Sequence, residues 1–144
     1  MFLVDTNVLL YAANQAAPEH PPCASSLQRW REQATPWHVT WGILYEFLRV
    51  STHQHVFSSP LTPAEAWSFV GSVLAAPALG VLIATPRHAD VLTELTEIVP
   101  QLTGNLWHDA HTAVLMKEHG IRQIVTRDTH FHRFPFLEVI DPLS

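Results

Sequence analysis

The chain has 144 residues, of which 47% are hydrophobic and 15% charged. That excludes a disordered polymer and is enough chain for one domain with its own core. A single cysteine, Cys23, excludes an intrachain disulfide and fits a reducing compartment. The formal charge of −5 excludes a broadly basic nucleic-acid-binding surface, so a nucleic-acid role would need basic residues clustered in space, or acids gathered at one site and neutralised by a divalent cation.

Phe2-Leu3-Val4 is a short apolar run that ends at Asp5 and predicts a buried strand. No basic segment precedes it and Asp5 comes too early for a signal peptide. No run approaches the roughly 20 apolar residues that a membrane span requires, so a cytoplasmic protein is expected. Thr6 to Ala13 reads as a helix, and Pro22 to Gln33 as a second one with Leu27 and Trp30 at helical spacing. Pro18, Pro21, Pro22, Pro60 and Pro63 read as loops between helices. Trp37-His38-Val39-Thr40 is a short strand or a connector, and Thr40 is placed to cap a helix from Trp41 to Val50. Ile43, Leu44, Phe47, Leu48 and Val50 give that helix an apolar stripe.

Thr62-Pro63-Ala64-Glu65 is a capping box with proline at the first helical position, and predicts a helix to Ala75. Val81-Leu82-Ile83 predicts a second buried strand, followed by a helix from Pro86 to Ile98. Asn105 is placed to cap a helix from Leu106 to His119, with Gly120 as its stop. Ile124-Val125-Thr126 and Leu137-Glu138-Val139-Ile140 are the last two strands. Short apolar strands alternating with helices predict an α/β sandwich around a mainly parallel sheet. In such folds ligands gather beyond the carboxyl ends of the strands, which is where Asp5 and Asp128 fall.

Four acids stand out by context. Asp5 ends the first strand, and Glu46 interrupts an otherwise apolar helix. Asp109 lies in the first turns of its helix, and Asp128 follows the Ile124 strand by two residues. Burying a carboxylate among apolar neighbours costs several kcal/mol unless it is paired or bound to metal. Singly, each has an ordinary explanation: a cap, an outward helix face, a favourable place near a helix dipole, a turn. Together they would repel one another, and a hard divalent cation such as Mg²⁺ relieves that repulsion.

These segments resemble a known family. Phe2-Leu3-Val4-Asp5-Thr6-Asn7-Val8-Leu9-Leu10 is similar to the opening of PIN domains, and Tyr45-Glu46-Phe47 to their second acid. Trp107-His108-Asp109-Ala110-His111-Thr112-Ala113 resembles the third motif, and Ile124-Val125-Thr126-Arg127-Asp128-Thr129-His130-Phe131 the fourth. Order, spacing and length resemble the VapC toxins of VapBC toxin–antitoxin pairs, over Phe2 to Pro142. The resemblance implies a single PIN domain over residues 1–144, a three-layer sandwich with a central sheet of four or five strands between helices. It implies a metal-dependent endoribonuclease toxin that cuts structured RNA such as tRNA or rRNA. It also implies a homodimer silenced by a VapB antitoxin whose C-terminal segment enters the active-site groove. Carried over, Asp5, Glu46, Asp109 and Asp128 hold Mg²⁺ or Mn²⁺, with Asp5 and Asp109 as direct ligands, and Thr6, Asn7 and Thr126 support them. Many relatives carry one more acid two residues after the fourth; here that place is His130.

Arg49, Lys117, Arg127, Arg133 and His111 are candidate RNA contacts. His108/His111, His130/His132 and His53/His55 have spacings compatible with Zn²⁺, but no cysteine cluster accompanies them, and solvated or hydrogen-bonded histidines explain them better. The five tryptophans are expected in the core or at a dimer contact, with Trp41, Tyr45 and Phe69 on the helices at that contact. A haloacid-dehalogenase-like phosphatase would want Asp at position 7, where Asn7 stands; a receiver module would want a late lysine after a strand, and the only lysine, Lys117, is on a helix. A PIN fold that binds RNA without cutting it is the remaining alternative, permitted by the net charge and by His130.

Overall fold

The computed structural model describes residues 1–144. Five strands, β1 (Phe2–Val4), β2 (Trp37–Thr40), β3 (Leu79–Leu82), β4 (Gln123–Val125) and β5 (Glu138–Ile140), form one sheet in the order β3-β2-β1-β4-β5. Every pairing is parallel. The helices are α1 (Thr6–Ala13), α2 (His20–Glu32), α3 (Trp41–Ser51), α4 (Pro63–Leu74), α5 (His88–Ile98) and α6 (Leu106–Glu118). A short 3₁₀ helix, Thr129–Arg133, joins β4 to β5.

From β1 the chain moves outward in one direction through α1 and α2 to β2, then through α3 and α4 to β3. It returns through α5 and α6 to β4, on the other side of β1. Right-handed crossovers therefore put α1 to α4 on one face and α5 with α6 on the other, which is the expected three-layer arrangement. Contacts follow the same grouping: α1 packs on α2 and α3, α3 on α4, and α5 on α6. The reversal falls between β1 and β4. Their carboxyl ends form the switch point at which α/β folds open a crevice.

The central strands are apolar because both faces are covered; Leu3, Val4, Val39 and Ile124 are fully buried. Trp37 is wholly buried and stacks its ring near Trp30, as expected of a core tryptophan. Trp41, Trp67 and Trp107 are 43%, 54% and 45% exposed, so they lie outside the core. Tyr45 is exposed beside Trp41, whereas Phe69 is half-buried and stacks on Phe47 at 4.7 Å. Phe69 therefore supports the α3–α4 packing instead of facing outward.

The capping box on α4 forms with both of its reciprocal bonds, and Thr40 caps α3 by accepting from the Ile43 amide at 3.0 Å. Gly120 ends α6 at φ +69, with the Ile121 amide reaching back to the Met116 carbonyl at 2.9 Å. Some boundaries differ from expectation. Helix α2 begins at His20, not Pro22, since Pro21 and Pro22 fit the first turn, where amides have no partner anyway. Helix α5 begins at His88, not Pro86. Asn105 precedes α6 without a side-chain cap, because the amides of Leu106, Trp107 and His108 are already taken by the carbonyls of Thr103, Gly104 and Asn105. Ile83 is outside β3 and 63% exposed. Thr40↔Leu82 is the last pair with β2, whose chain then turns into α3, so nothing remains for Ile83 to pair with. No helix is long and apolar enough to cross a membrane.

Candidate metal centre

Asp5 leaves β1 at the switch point with its amide bonded to the Val125 carbonyl of β4 at 3.0 Å. Its carboxylate is buried. One oxygen accepts from the Thr6 amide at 2.7 Å, which caps α1. The other accepts from the Thr126 hydroxyl at 2.8 Å and from Asn7 Nδ2 at 3.1 Å. Thr126 Oγ1 in turn accepts from Asn7 Nδ2 at 2.9 Å and from the Asp128 amide at 3.0 Å. Asn7 completes the link by accepting from the Arg127 amide at 3.0 Å. Thr6 donates to the Ile43 carbonyl at 3.3 Å, tying α1 to α3. Thr6, Asn7 and Thr126 thus hold the Asp5 carboxylate against the loop that carries Asp128. Burial drives the Asp5 carboxyl above the usual carboxylate range, and the nearby charge of Asp128 adds to this against the lowering pull of Thr126, Thr6 and Asn7.

Asp109 comes from the first turn of α6, on the opposite layer. Its side chain is 19% exposed and no hydrogen bond reaches its carboxylate. Burial, then the charges of Asp128 and Asp5, push its carboxyl up to about 6. Asp128 caps the 3₁₀ helix by accepting from the His130 amide at 2.9 Å. That turn folds the His130 ring back over the acids, with Nδ1 at 3.3 Å from Asp128 and 3.9 Å from Asp109. Ligand atoms of Asp109, Asp128 and His130 all lie within 4.8 Å of one another.

The structure brings Asp109 and Asp128 together and sets Asp5 near enough for its charge to bear on Asp109 and for that of Asp128 to bear on it; none of the three is paired with lysine or arginine. Glu46 is different. Arg49 Nε donates to it at 3.0 Å one helical turn away, and that bond holds the Glu46 carboxyl below its usual range. His108 links the two regions electrostatically, because its charge bears on both Glu46 and Asp109. Glu46, like Asp5, is outside the group of Asp109, Asp128 and His130 whose ligand atoms lie within 4.8 Å of one another.

Of the candidate RNA contacts, Arg49 is held by Glu46, Lys117 by Glu94 at 3.4 Å, and Arg127 by Glu19 and Asp141 at 3.8 and 3.4 Å. Arg133 and His111 have no such partner, and His111 is exposed beside Gly42. A cavity of about 300 Å³ opens beside Asn7, lined by Leu10, Tyr11, Asn14, Val56 and Phe57. A larger one, about 610 Å³, surrounds Met1, Gly120 and Arg122 at the opposite ends of the strands. It contains none of the clustered acids, so its size carries no weight for the chemistry.

A metal fits the acid cluster on the structure's own terms. Ligand atoms of Asp109, Asp128 and His130 lie within 4.8 Å of one another with no lysine or arginine partner, and one octahedral ion with donors at about 2.1 Å spans about 4 Å between opposite donors, so modest side-chain movement would let all three share an ion. Zinc held by the paired histidines finds no support: the one group of potential ligands is Asp109, Asp128 and His130. Sequence marked His130 as a departure from an acid and as half of a His130/His132 pair, and missed its approach to both aspartates. Its position two residues after a turn-forming Asp was the available signal. His108 was noted among the histidines but not as a neighbour of Glu46.

The model of the PIN domain family matches residues 2–137. Ribonuclease VapC37 of Mycobacterium tuberculosis is 38% identical over 135 residues, 93% of this chain and 92% of that protein. Ribonuclease VapC43 of the same species is 34% identical over 144 residues, 100% of this chain and 97% of that protein. Among solved structures, VapBC2 of Rickettsia felis, bound to a promoter DNA fragment, superposes with a TM-score of 0.67 at 18% identity, covering 96% of each chain. A parallel five-stranded sheet, an acid cluster at its switch point and relatives matched nearly end to end agree, and the chain belongs to the VapC ribonucleases of the PIN-domain family.

Proposed function

We propose that this chain is a Mg²⁺-dependent endoribonuclease toxin, a single PIN domain over residues 1–144 that acts in the cytoplasm on structured RNA such as tRNA or rRNA. The observation that carries the proposal is the convergence of Asp5, Asp109 and Asp128 without a lysine or arginine partner, with Asp109 held up to about 6. Repulsion among them is a standing free-energy penalty that a divalent cation removes.

Asp5 and Asp109 would hold the ion directly, and Asp128 and Glu46 would hold it directly or through water. Thr6, Asn7 and Thr126 fix the Asp5 carboxylate so that it does not rearrange when charge develops. When bound, Mg²⁺, for which Mn²⁺ substitutes, supplies a Lewis acid at the phosphoryl oxygen and lowers the pKa of water. The phosphodiester is cleaved by water in line with the leaving 3′-oxygen, giving a 5′-phosphate and a 3′-hydroxyl. Arg133 and His111 would contact backbone phosphates, a role supported by their having no carboxylate partner to give up. Arg49, Arg127 and Lys117 serve that role by exchanging their carboxylate partners for phosphate.

Family membership supports a VapB-type antitoxin as partner, whose C-terminal segment would enter the active-site groove. The exposed Trp41 and Tyr45 on α3 support a homodimer through that helix. The test is a purified Asp5→Asn protein assayed on RNA with Mg²⁺, with host nuclease excluded. Cleavage should vanish while the circular dichroism spectrum is unchanged. Full activity would contradict the assignment. RNA binding without Mg²⁺-dependent cleavage by the unaltered chain would replace it with the non-catalytic RNA-binding alternative.

A further inference from the structure

We propose that His130 is itself a metal ligand, whose imidazole nitrogen makes this a mixed oxygen–nitrogen site that favours borderline first-row divalents such as Mn²⁺ over Mg²⁺. The inference deepens the metal-dependent function proposed above and rests on it.

Geometry is the first support. His130 Nδ1 lies 3.3 Å from Asp128 Oδ1 and 3.9 Å from Asp109 Oδ2. Donors sharing one octahedral ion at about 2.1 Å are about 3 Å apart when adjacent and about 4 Å apart when opposite. Both separations fall in that range. Protonated, the imidazole would pair with these same two carboxylates; neutral, its Nδ1 makes no hydrogen bond and can offer a lone pair to an ion they share, while the Asp128 oxygen it faces accepts the His130 amide at 2.9 Å.

Placement is the second. His130 rides on the 3₁₀ helix, whose neighbours Phe131 and Phe134 are buried, so the element carrying the ring is fixed to the core. The ring is 63% exposed, so it is fixed at its base and free to adjust by rotation. A ligand that packs nothing but faces two unpaired carboxylates is placed by function and not by packing.

Chemistry is the third. Mg²⁺ prefers oxygen and gives up water reluctantly, whereas imidazole nitrogen suits first-row transition ions. Two carboxylates supply the hard oxygen donors and His130 the softer nitrogen, and it is the nitrogen that tilts the site toward Mn²⁺ relative to Mg²⁺.

The experiment titrates Mn²⁺ into the metal-free protein and follows the free ion by electron paramagnetic resonance, with Mg²⁺ as competitor. Electron spin-echo envelope modulation then reads whether a nitrogen is bonded to Mn²⁺. The unaltered chain should show ¹⁴N modulation. His130→Asp and His130→Ala, both at an exposed position, should still fold and bind Mn²⁺ but lose that modulation. The ratio of Mn²⁺ to Mg²⁺ affinity should fall about tenfold in His130→Asp. Mn²⁺ binding without ¹⁴N modulation in the unaltered chain, modulation that persists in both variants, or an unchanged affinity ratio would each overturn the proposal while leaving metal-dependent catalysis standing. Absence of any Mn²⁺ or Mg²⁺ binding would instead overturn both.

Discussion

Helix α6 carries two acids with little exposure, and they are treated in opposite ways. Glu118, at its end, has a side chain with no exposed surface. It accepts from the Thr85 amide at 2.8 Å, from the Thr85 hydroxyl, and bonds to His88 Nδ1 at 2.7 Å. Burial alone would raise its carboxyl, but those bonds from Thr85 and His88 prevail and hold it below the usual range. Asp109, at the beginning of the helix, receives no hydrogen bond and faces two further carboxylates, and its carboxyl is pushed up to about 6. A buried acid given its own donors is architecture: it ties the segment after β3 to α6. A buried acid denied donors and set among like charges keeps its repulsion unrelieved, an arrangement compatible with a cation site. Burial by itself does not separate the two cases; the supply of donors does.

That contrast can be broken by substitution. The largest expected effect is on catalysis: Asp109→Asn should lower the rate of RNA cleavage by about a thousandfold or more, equivalent to about 4 kcal/mol of barrier, in a single-turnover assay. Activity within tenfold of the unaltered chain would remove Asp109 from the machinery. Next, Glu118→Ala should destabilise the fold by about 2–3 kcal/mol by leaving the Thr85 amide unsatisfied, measured by urea denaturation. Cleavage per folded molecule should hardly change, and a loss of activity without loss of stability would make Glu118 part of the site.

A smaller effect has the opposite sign. The Asp109 carboxyl titrates at about 6 in the folded chain against 3.8 ordinarily. Ionisation therefore destabilises the metal-free fold above pH 6, and the penalty is gone below about pH 4. Asp109→Asn should stabilise metal-free protein by about 1–2 kcal/mol at pH 7.5, less than the full shift implies because solvent reaches the group. Chemical denaturation of both proteins with chelator present, at pH 7.5 and pH 4.5, checks this; a gain that did not shrink at the lower pH would contradict it. The smallest effect should come from Thr85→Val, which removes one of the donors to Glu118 and keeps the amide. About 1 kcal/mol of stability should be lost, and no change in urea midpoint would mean that the amide and His88 suffice.

Asp5, Asp109 and Asp128 were legible in the sequence because each sits where a local signal and a topological rule coincide: a strand end, a first helical turn, a loop after a strand. The switch between β1 and β4 then does the gathering. Relations that depend on distant side chains were not legible. Glu118 reads as an ordinary charge on a helix, since Thr85 and His88 lie 33 and 30 residues away. Arg127 reads as a free cation next to Asp128, but Glu19 and Asp141, from the start of α2 and the chain end, take it up. Glu46 shows the reverse case: its partner Arg49 is only one turn away, so that ion pair was within reach of the sequence through its i, i+3 spacing. The outer limit of β3 was missed because strand length is set by the neighbour: Ile83 is as apolar as Val81, and only the turn of β2 into α3 strands it.

The switch point makes the site a product of the whole chain. One acid precedes the first helix, another opens the last long one, and the third follows the fourth strand. Parallel pairing of β1 with β4 closes a loop of more than a hundred residues, the slowest kind of contact to form. Asp5 and Asp128 therefore become neighbours only when that long-range pairing is made, so the assembly of this corner of the molecule reports on completion of the sheet's centre.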